Sequence, residues 1–488
     1  MLACAAMAEV ARLLVDARPV NHPTARDRGI GRYTTGLLDG LSQIDAPVIA
    51  LYDTDVEAGL LHEAVPTLEL RRWSPATIRE FTAPDTWYLA TQLMLHPLPL
   101  DPVPRIITDS GLPVAAVMYD VIPERYPDLY QTRPQARAQV QLRGMLTRTL
   151  DALLAISDFA ADTAAAELRF PRARIATIGA GAERRFAPAT GDPWPRVSRL
   201  LESDGRALVL MVSGTDSRKN TQRMIRAWGL VAAAVRATNR LVVVGAVDPT
   251  LLQQWHGWAH EAGVYDDVAF IGGVSDDQMV ALHQLAALAV MPSLEEGFGL
   301  PVLEAAACGC PVITSNTSSL PEVLACPAAE FDPFDTASIA TAVEQAITKP
   351  AHRATLQAAA RLAAERWTWA NTAHATLAAL EALEPRQQRV LKPVPRRIAL
   401  QGRFDESPAG LTNTAFADEI RALPEAAEVH LLVEHESLAT ATHAEVGRFP
   451  SLALGRFVHP SLFDEVIQLH DDMDRSGVLA GLAGDVTG

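Results

Sequence analysis

Short runs rich in valine, isoleucine and leucine recur along this chain, and each is followed by a turn and then by a longer segment of helical period. VARLLVDA precedes GRYTTGLLDGL, PVAAVMYDV precedes the segment from Ala136 to Leu150, and ALVLMVSG precedes NTQRMIRAWGLVAAAV. Apolar strands that alternate with crossover helices predict an α/β chain built on parallel sheets covered by helices on both faces, in the doubly wound, Rossmann-like manner. Two such series are visible, separated by the proline-bearing stretch FAPATGDPWPRVSRLLESDGRA. They place one domain at residues 1–195 and a second at 206–384, the latter closed by the helix WTWANTAHATLAALEAL. Residues 385–397, PRQQRVLKPVPRR, read as an extended, basic, proline-rich linker. Beyond them RRIALQGRF, EVHLLVEH and FDEVIQLH look like three more buried strands, and SPAGLTNTAFADEIRAL like a glycine-bearing turn entering a helix. Residues 398–488 are thus expected to form a partial third Rossmann-like unit. At roughly 100–200 residues per domain, a chain of 488 residues accommodates about three domains.

Hydrophobic residues make up 49% and charged residues 20%, a globular composition. The formal net charge of −16 argues against general nucleic-acid binding, so any bound anion must meet a local basic site. The four cysteines form no C-x-x-C pair and no dense framework, which fits a reducing cytoplasm. No segment approaches the roughly 20 uninterrupted apolar residues of a membrane span. The opening residues lack the features of a secretory signal, and Met7 is a second candidate start.

The stretch SLEEGFGLPVLEAAACGCPVITSN, Ser293 to Asn316, carries the most chemistry. Its apolar lead-in ends a strand, Gly297 and Gly299 permit tight turning, and Pro301 suits the first turn of a helix continuing to about Cys308. Glu296 then lies in the loop and Glu304 about one turn into the helix. Unpaired amides from Leu300 to Leu303 at a helix start make an anion site, and the two carboxylates beside it can accept hydrogen bonds from hydroxyls. An isolated pair of glutamates at this spacing is more often a favourable first-turn charge and a solvated loop residue.

The whole string EEGFGLPVLEAAACGCPVITSNTSSLPEV resembles the donor-site signature of the family-4 retaining glycosyltransferases of the GT-B fold. VSGTDSRKNTQRMIRAW is similar to the strand, loop and helix whose adjacent Arg and Lys, here Arg218 and Lys219, hold the donor diphosphate in that family, with Gly214 in the same loop. FIGGVSDDQMVALHQLAALAVMPS resembles the segment beside the nucleotide base, and MYDVIPERYPDLY and AISDFAADTAAAEL resemble first-domain segments. Tyr119-Asp120 stands where many relatives carry His-Asp, so Asp120 matches and the role of Tyr119 stays open. RDRGIGRYTTGLL fails as a dinucleotide fingerprint, since its spacing is G-x-G-x4-G. As a family feature it implies that Gly31 lets the backbone approach the diphosphate; the plain alternative is a helix-entry turn.

The resemblance implies two Rossmann-like domains facing a cleft, with Arg218 and Lys219 stabilising the diphosphate, Glu296 on the sugar hydroxyls and Glu304 on the ribose. Gly31, Asp120, Gly214, Phe298, Gly299 and Leu300 complete the donor-binding set. It further implies a retaining, metal-independent hexosyltransferase with no cofactor beyond the nucleotide-diphosphate sugar, GDP-mannose being favoured. The acceptor is expected to be a glycan or lipid-linked oligosaccharide in cell-surface polysaccharide synthesis, with the enzyme cytoplasmic or peripheral at the cytoplasmic membrane face. A sugar-nucleotide epimerase or phosphorylase on the same fold, or a non-catalytic sugar-nucleotide-binding protein, is the alternative. No metal site is expected. Asp53 and Asp55 in YDTDV, and the run Asp471 to Asp474, form D-x-D spacings that an acidic chain produces by chance. Arg133, Arg137, Arg143 and Arg148 lie in an acid-free stretch and predict a solvated helix face, with contact to an anionic lipid carrier or membrane as the alternative. Residues 398–488 resemble the start of another such transferase without a second glutamate motif. An acceptor module, a remnant of a tandem enzyme and a truncated reading frame all remain open.

Overall fold

The computed structural model describes residues 11–21, 25–26, 29–52, 65, 67–69, 82–94, 102–201 and 204–383, together with four strands from the C-terminal segment. The first sheet contains β1 (Ala11–Asp16), β2 (Val48–Tyr52), β3 (Thr67–Glu69), β4 (Thr82–Ala90), β5 (Val114–Met118), β6 (Ala152–Ala155) and β7 (Ile175–Thr177). Its spatial order is β3-β2-β1-β4-β5-β6-β7, and every pairing is parallel. The second sheet contains β8 (Ala207–Val212), β9 (Asn239–Val244), β10 (Val268–Ile271), β11 (Ala286–Met291), β12 (Val312–Ser315) and β13 (Glu330–Phe331). Its order, β10-β9-β8-β11-β12-β13, is again all parallel.

Both sheets are therefore doubly wound. Strands such as VIALY, VAAVM and ALLA are buried at every position because helices cover both faces, which is why they read as continuous apolar runs rather than as alternations. In each sheet the chain reverses direction beside its first strand, between β1 and β4 and between β8 and β11. The carboxyl ends of strands at such a switch point form the crevice where α/β proteins bind ligands. The loops leaving β8 and β11 carry Arg218, Lys219 and Glu296.

The C-terminal segment contributes β14 (Arg397–Gly402), β15 (Glu428–Val433), β16 (Leu452–Ala453) and β17 (Glu465–Leu469), paired in parallel in the order β16-β15-β14-β17. That order reproduces the opening four strands of both preceding sheets. The helix read from SPAGLTNTAFADEIRAL lies outside the described residues.

The helix Trp369–Ala382, which sequence attaches to the second domain, packs instead on the first-domain helix Gly29–Gln43. Small residues make the approach possible. A Cβ at Gly36 would fall 2.0 Å from the Trp369 ring and one at Gly40 would fall 2.1 Å from the Trp369 carbonyl oxygen. Tyr33 adds an edge-on contact to the Trp369 ring at 5.0 Å and donates its hydroxyl to the Gly179 carbonyl at 2.7 Å. Because the obstacle at Gly40 is backbone, Gly40→Ala is expected to destabilise the fold by about 1–3 kcal/mol, as overpacking of a tight seam does. Denaturant unfolding checks this, and an unchanged midpoint would mean that the helix is not seated there.

Candidate active site

Strand β8 ends at Val212, and the chain passes through Gly214, which has open space around it, into the short 3-10 turn Ser217–Lys219. Asp216 caps this turn, accepting the Arg218 amide at 3.0 Å and its Nε at 2.8 Å. Asn220 then takes a left-handed conformation, φ 62°, and its side-chain amide donates to the carbonyls of Pro292 at 3.0 Å and Pro333 at 2.9 Å. The cation loop is thereby tied to the exit of β11. Arg218 Nη1 donates to the Glu295 carbonyl at 2.7 Å and to Glu296 Oε2 at 3.0 Å, while Lys219 Nζ donates to Glu296 Oε1 at 2.6 Å.

Glu296 is 7% exposed. Burial pushes its carboxyl up, but Lys219 and Arg218 outweigh this and hold it down at about 2. Arg218, correspondingly, loses from burial and gains more from Glu296, Asp216 and Asp120, so its affinity for its proton is raised. One carboxylate thus stores two cations at the switch point.

The next residues cross to the other domain. A Cβ at Gly297 would lie 2.2 Å from the Tyr119 carbonyl oxygen, and its own carbonyl accepts the Ser157 hydroxyl at 2.6 Å. Gly299 has φ 102°, which an L side chain rarely adopts. The helix Leu300–Ala307 follows, with Pro301 in its first turn as the sequence predicts. Glu304 faces Arg32 of the first domain, Nη1 to Oε1 3.7 Å, and the buried His283, Nε2 to Oε2 4.0 Å. Burial lifts Glu304 to about 7; Arg32 opposes the rise, and Glu183 and Asp276 add to it. Arg32 is shared with Asp276, which also accepts from Arg185 at 2.8 Å. His283 has neither ring nitrogen hydrogen-bonded, and burial pushes it down to about 4, so it is neutral.

Among the sequence-predicted residues, Arg218, Lys219 and Glu296 form one cluster, while Glu304 stands apart in an acidic one. Asp120 accepts the Ile122 amide at 3.0 Å at the edge of the cleft. Leu300 is half-buried at the helix start. Two residues serve packing. Phe298 is buried edge-on against Trp367 at 5.2 Å, so its ring is core. Gly31 lies within the helix start, where a Cβ would fall 2.3 Å from the Ala25 carbonyl oxygen, so its smallness is required by the preceding turn. Tyr119 packs edge-on against Tyr33 at 5.2 Å.

Of the four arginines expected on a solvated face, Arg143 is buried and bound to Glu124, Nε to Oε1 2.9 Å; Arg133, Arg137 and Arg148 are exposed. Sequence reasoning missed Tyr126, Tyr130, Arg32 and Glu295, which meet partners from the opposite domain. It also passed over Asp216, whose place two residues before Arg218 was a capping signal. Among the described residues no cluster of three or more His, Cys, Asp or Glu could hold a metal, and no helix is long and apolar enough to cross a membrane. Asp53, Asp55 and the run Asp471 to Asp474 lie outside those residues.

Two doubly wound sheets facing one another, with a paired arginine and lysine at one switch point, define a GT-B fold. Residues 197–363 match the family model described as glycosyl transferases group 1. The solved structure of Anabaena Alr3699/HepE in complex with UDP and glucose superimposes with a TM-score of 0.58 at 15% identity, over 77% of this chain and 100% of that one, and shares the fold. The serotype-specific mannosyltransferase WbdA of Escherichia coli is 32% identical over 53% of this chain and 32% of its own length. The GDP-mannose-dependent alpha-(1-6)-phosphatidylinositol monomannoside mannosyltransferase of Mycolicibacterium smegmatis is 31% identical over 38% of this chain and 50% of its own length. The matches thus span about a third and a half of these two relatives.

Because Glu296 neutralises both cations, Glu296→Gln is expected to tighten inorganic pyrophosphate binding, by about tenfold for removal of one charge in direct contact. Calorimetry checks this, and unchanged or weaker binding would show that the cations do not face the ligand.

Proposed function

We propose that the chain is a retaining glycosyltransferase that moves a hexose, mannose in the first instance, from GDP-mannose to a glycan or lipid-linked acceptor in cell-surface polysaccharide synthesis. The observation that carries this reading is the Arg218, Lys219 and Glu296 cluster at the second switch point, ahead of the helix that begins at Leu300. The group 1 family match supports a sugar-nucleotide donor. The names of the two mannosyltransferase relatives support the sugar, and one of them supports the guanine base.

In the reaction, the bond between the sugar anomeric carbon and the diphosphate oxygen breaks, and the nucleoside diphosphate leaves with the electron pair. The acceptor hydroxyl oxygen bonds to the same face of that carbon, and its proton passes to the departing phosphate oxygen. Arg218 and Lys219 stabilise the negative charge that develops on the leaving oxygen, from positions already fixed before the ligand arrives. Glu296 accepts hydrogen bonds from the sugar hydroxyls, and Glu304 from the ribose hydroxyls. The two cations and the helix amides neutralise the diphosphate without a divalent metal. A lipid-linked acceptor places the enzyme at the cytoplasmic membrane face. The strand order of β14 to β17 supports reading residues 398–488 as the opening of a second transferase-like unit.

The test is a donor screen with GDP-mannose, dTDP-rhamnose, UDP-glucose and UDP-N-acetylglucosamine without added metal, followed by product analysis. Sugar transfer with retained configuration is expected, and Lys219→Ala should lower turnover by roughly 100- to 1,000-fold. Epimerised or phosphorolysed donor in place of a glycoside would overturn the transferase reading. Glu304 adds a pH signature. Its carboxyl ionises as pH rises through about 7, and the ionised form is the better acceptor for two hydroxyls, so GDP affinity should rise between pH 6 and 8. Glu304→Gln should remove that part of the rise while leaving titration of the phosphate itself; identical profiles for the two proteins would take Glu304 out of the ribose role.

A further inference from the structure

We infer that Tyr126 and Tyr130, which reach across from the first domain, are positioning residues that hold the Arg218 guanidinium in place for a diphosphate. The inference rests on the reading of Arg218 as a diphosphate cation.

Both tyrosines belong to the segment that follows β5, two short helices at Ile122–Arg125 and Pro127–Tyr130. That segment is anchored on its own domain. Asp120 accepts the Ile122 amide, the Gln131 side-chain amide donates to the Pro123 carbonyl at 2.8 Å, and Arg143 holds Glu124 from below. From this footing the Tyr130 hydroxyl donates to Asp216 Oδ1 at 2.7 Å and lies 2.8 Å from Oδ2. The Tyr126 hydroxyl donates to Glu295 Oε2 at 2.6 Å, and Arg125 Nε pairs with the other oxygen, Oε1, at 2.9 Å.

Asp216 and Glu295 are the two residues that, with Glu296, fix Arg218. Asp216 takes its amide and Nε, and the Glu295 carbonyl takes its Nη1. The clamp gathers on Arg218 Nε and Nη1, and the Tyr130 hydroxyl also lies close to the guanidinium itself. The phenols are suited to this work. Burial and the neighbouring carboxylates raise the proton affinity of each, so both remain donors throughout the neutral range. The contacts span 169 and 86 positions of sequence and join the two domains, so they depend on how the domains meet.

The experiment uses inorganic pyrophosphate as probe in calorimetry on the full chain, with Tyr126→Phe/Tyr130→Phe alone and combined with Arg218→Ala. Removing two hydroxyls that each meet a carboxylate is expected to weaken pyrophosphate binding by about tenfold in the native background. Once Arg218 is gone the same two changes should have almost no further effect, because a positioning role is spent on the group it positions. Phenylalanine keeps the rings, so the melting temperature should stay within a few degrees. Equal losses in the two backgrounds, or no loss in either, would overturn the inference. The transferase reading is tested apart from this. Coupled loss of pyrophosphate affinity in a protein that transfers no sugar would leave the clamp standing and the transferase reading fallen, while native and variant proteins with equal pyrophosphate affinity and equal transfer would do the reverse.

Discussion

Glu296 is a carboxylate held almost out of water and still charged, and the arrangement of the cleft depends on how that is achieved. An unpaired carboxyl at such depth would keep its proton. Lys219 and Arg218 prevent this from 2.6 Å and 3.0 Å, and each is then held in turn. Arg218 is oriented by Asp216 and by the Glu295 carbonyl, and the loop bearing both cations is pinned through Asn220 to the exits of two strands. On the proposed function, a diphosphate that enters meets cations whose loop is already fixed in position.

Glu304 belongs to the same motif and has the opposite electrostatics. Its nearest cation, Arg32, stands at 3.7 Å and is shared with Asp276 and Glu183. Burial therefore wins at Glu304, and the carboxyl rises to about 7 where that of Glu296 falls to about 2. Seven residues separate two acids in opposite electrostatic settings. Since Arg32 comes from the first domain, the proton on Glu304 also depends on how the domains meet.

Both sheets are legible in the sequence because strands covered on two faces must be apolar throughout, and ALVLMVSG and PVAAVMYDV announce themselves. The cation loop and the glutamate helix are legible for a related reason: a strand end, a glycine turn and a proline at a helix start are local signals. What is not local could not be read. Nothing in MYDVIPERYPDLY distinguishes Tyr126 or Tyr130 from other surface tyrosines, because their partners Glu295 and Asp216 are set by docking of the domains. Position within a motif also misleads where packing governs: Phe298 sits amid site residues yet fills the space beside Trp367, and Arg143 looks solvent-facing by composition until Glu124 is found beneath it. The smallness of Gly36 and Gly40 acquires meaning only when Trp369, more than three hundred residues later, comes to lie on them.

That seam and the rim of the cleft differ in kind, which bears on how the domains can move. The closing helix meets the first domain through an apolar, close-packed contact, Trp369 against Tyr33, Gly36 and Gly40. The rim is polar: Tyr126 on Glu295, Tyr130 on Asp216, Ser157 on the Gly297 carbonyl, Arg32 on Asp276 and Glu304. Parting the seam would expose apolar surface at the full cost of its hydration. Parting the rim releases hydroxyls, carboxylates and a guanidinium that water can take up, and the net loss per hydrogen bond is small. Separating the domains would therefore cost least at the rim and most at Trp369, and the rim includes the Tyr126 and Tyr130 contacts inferred to align Arg218.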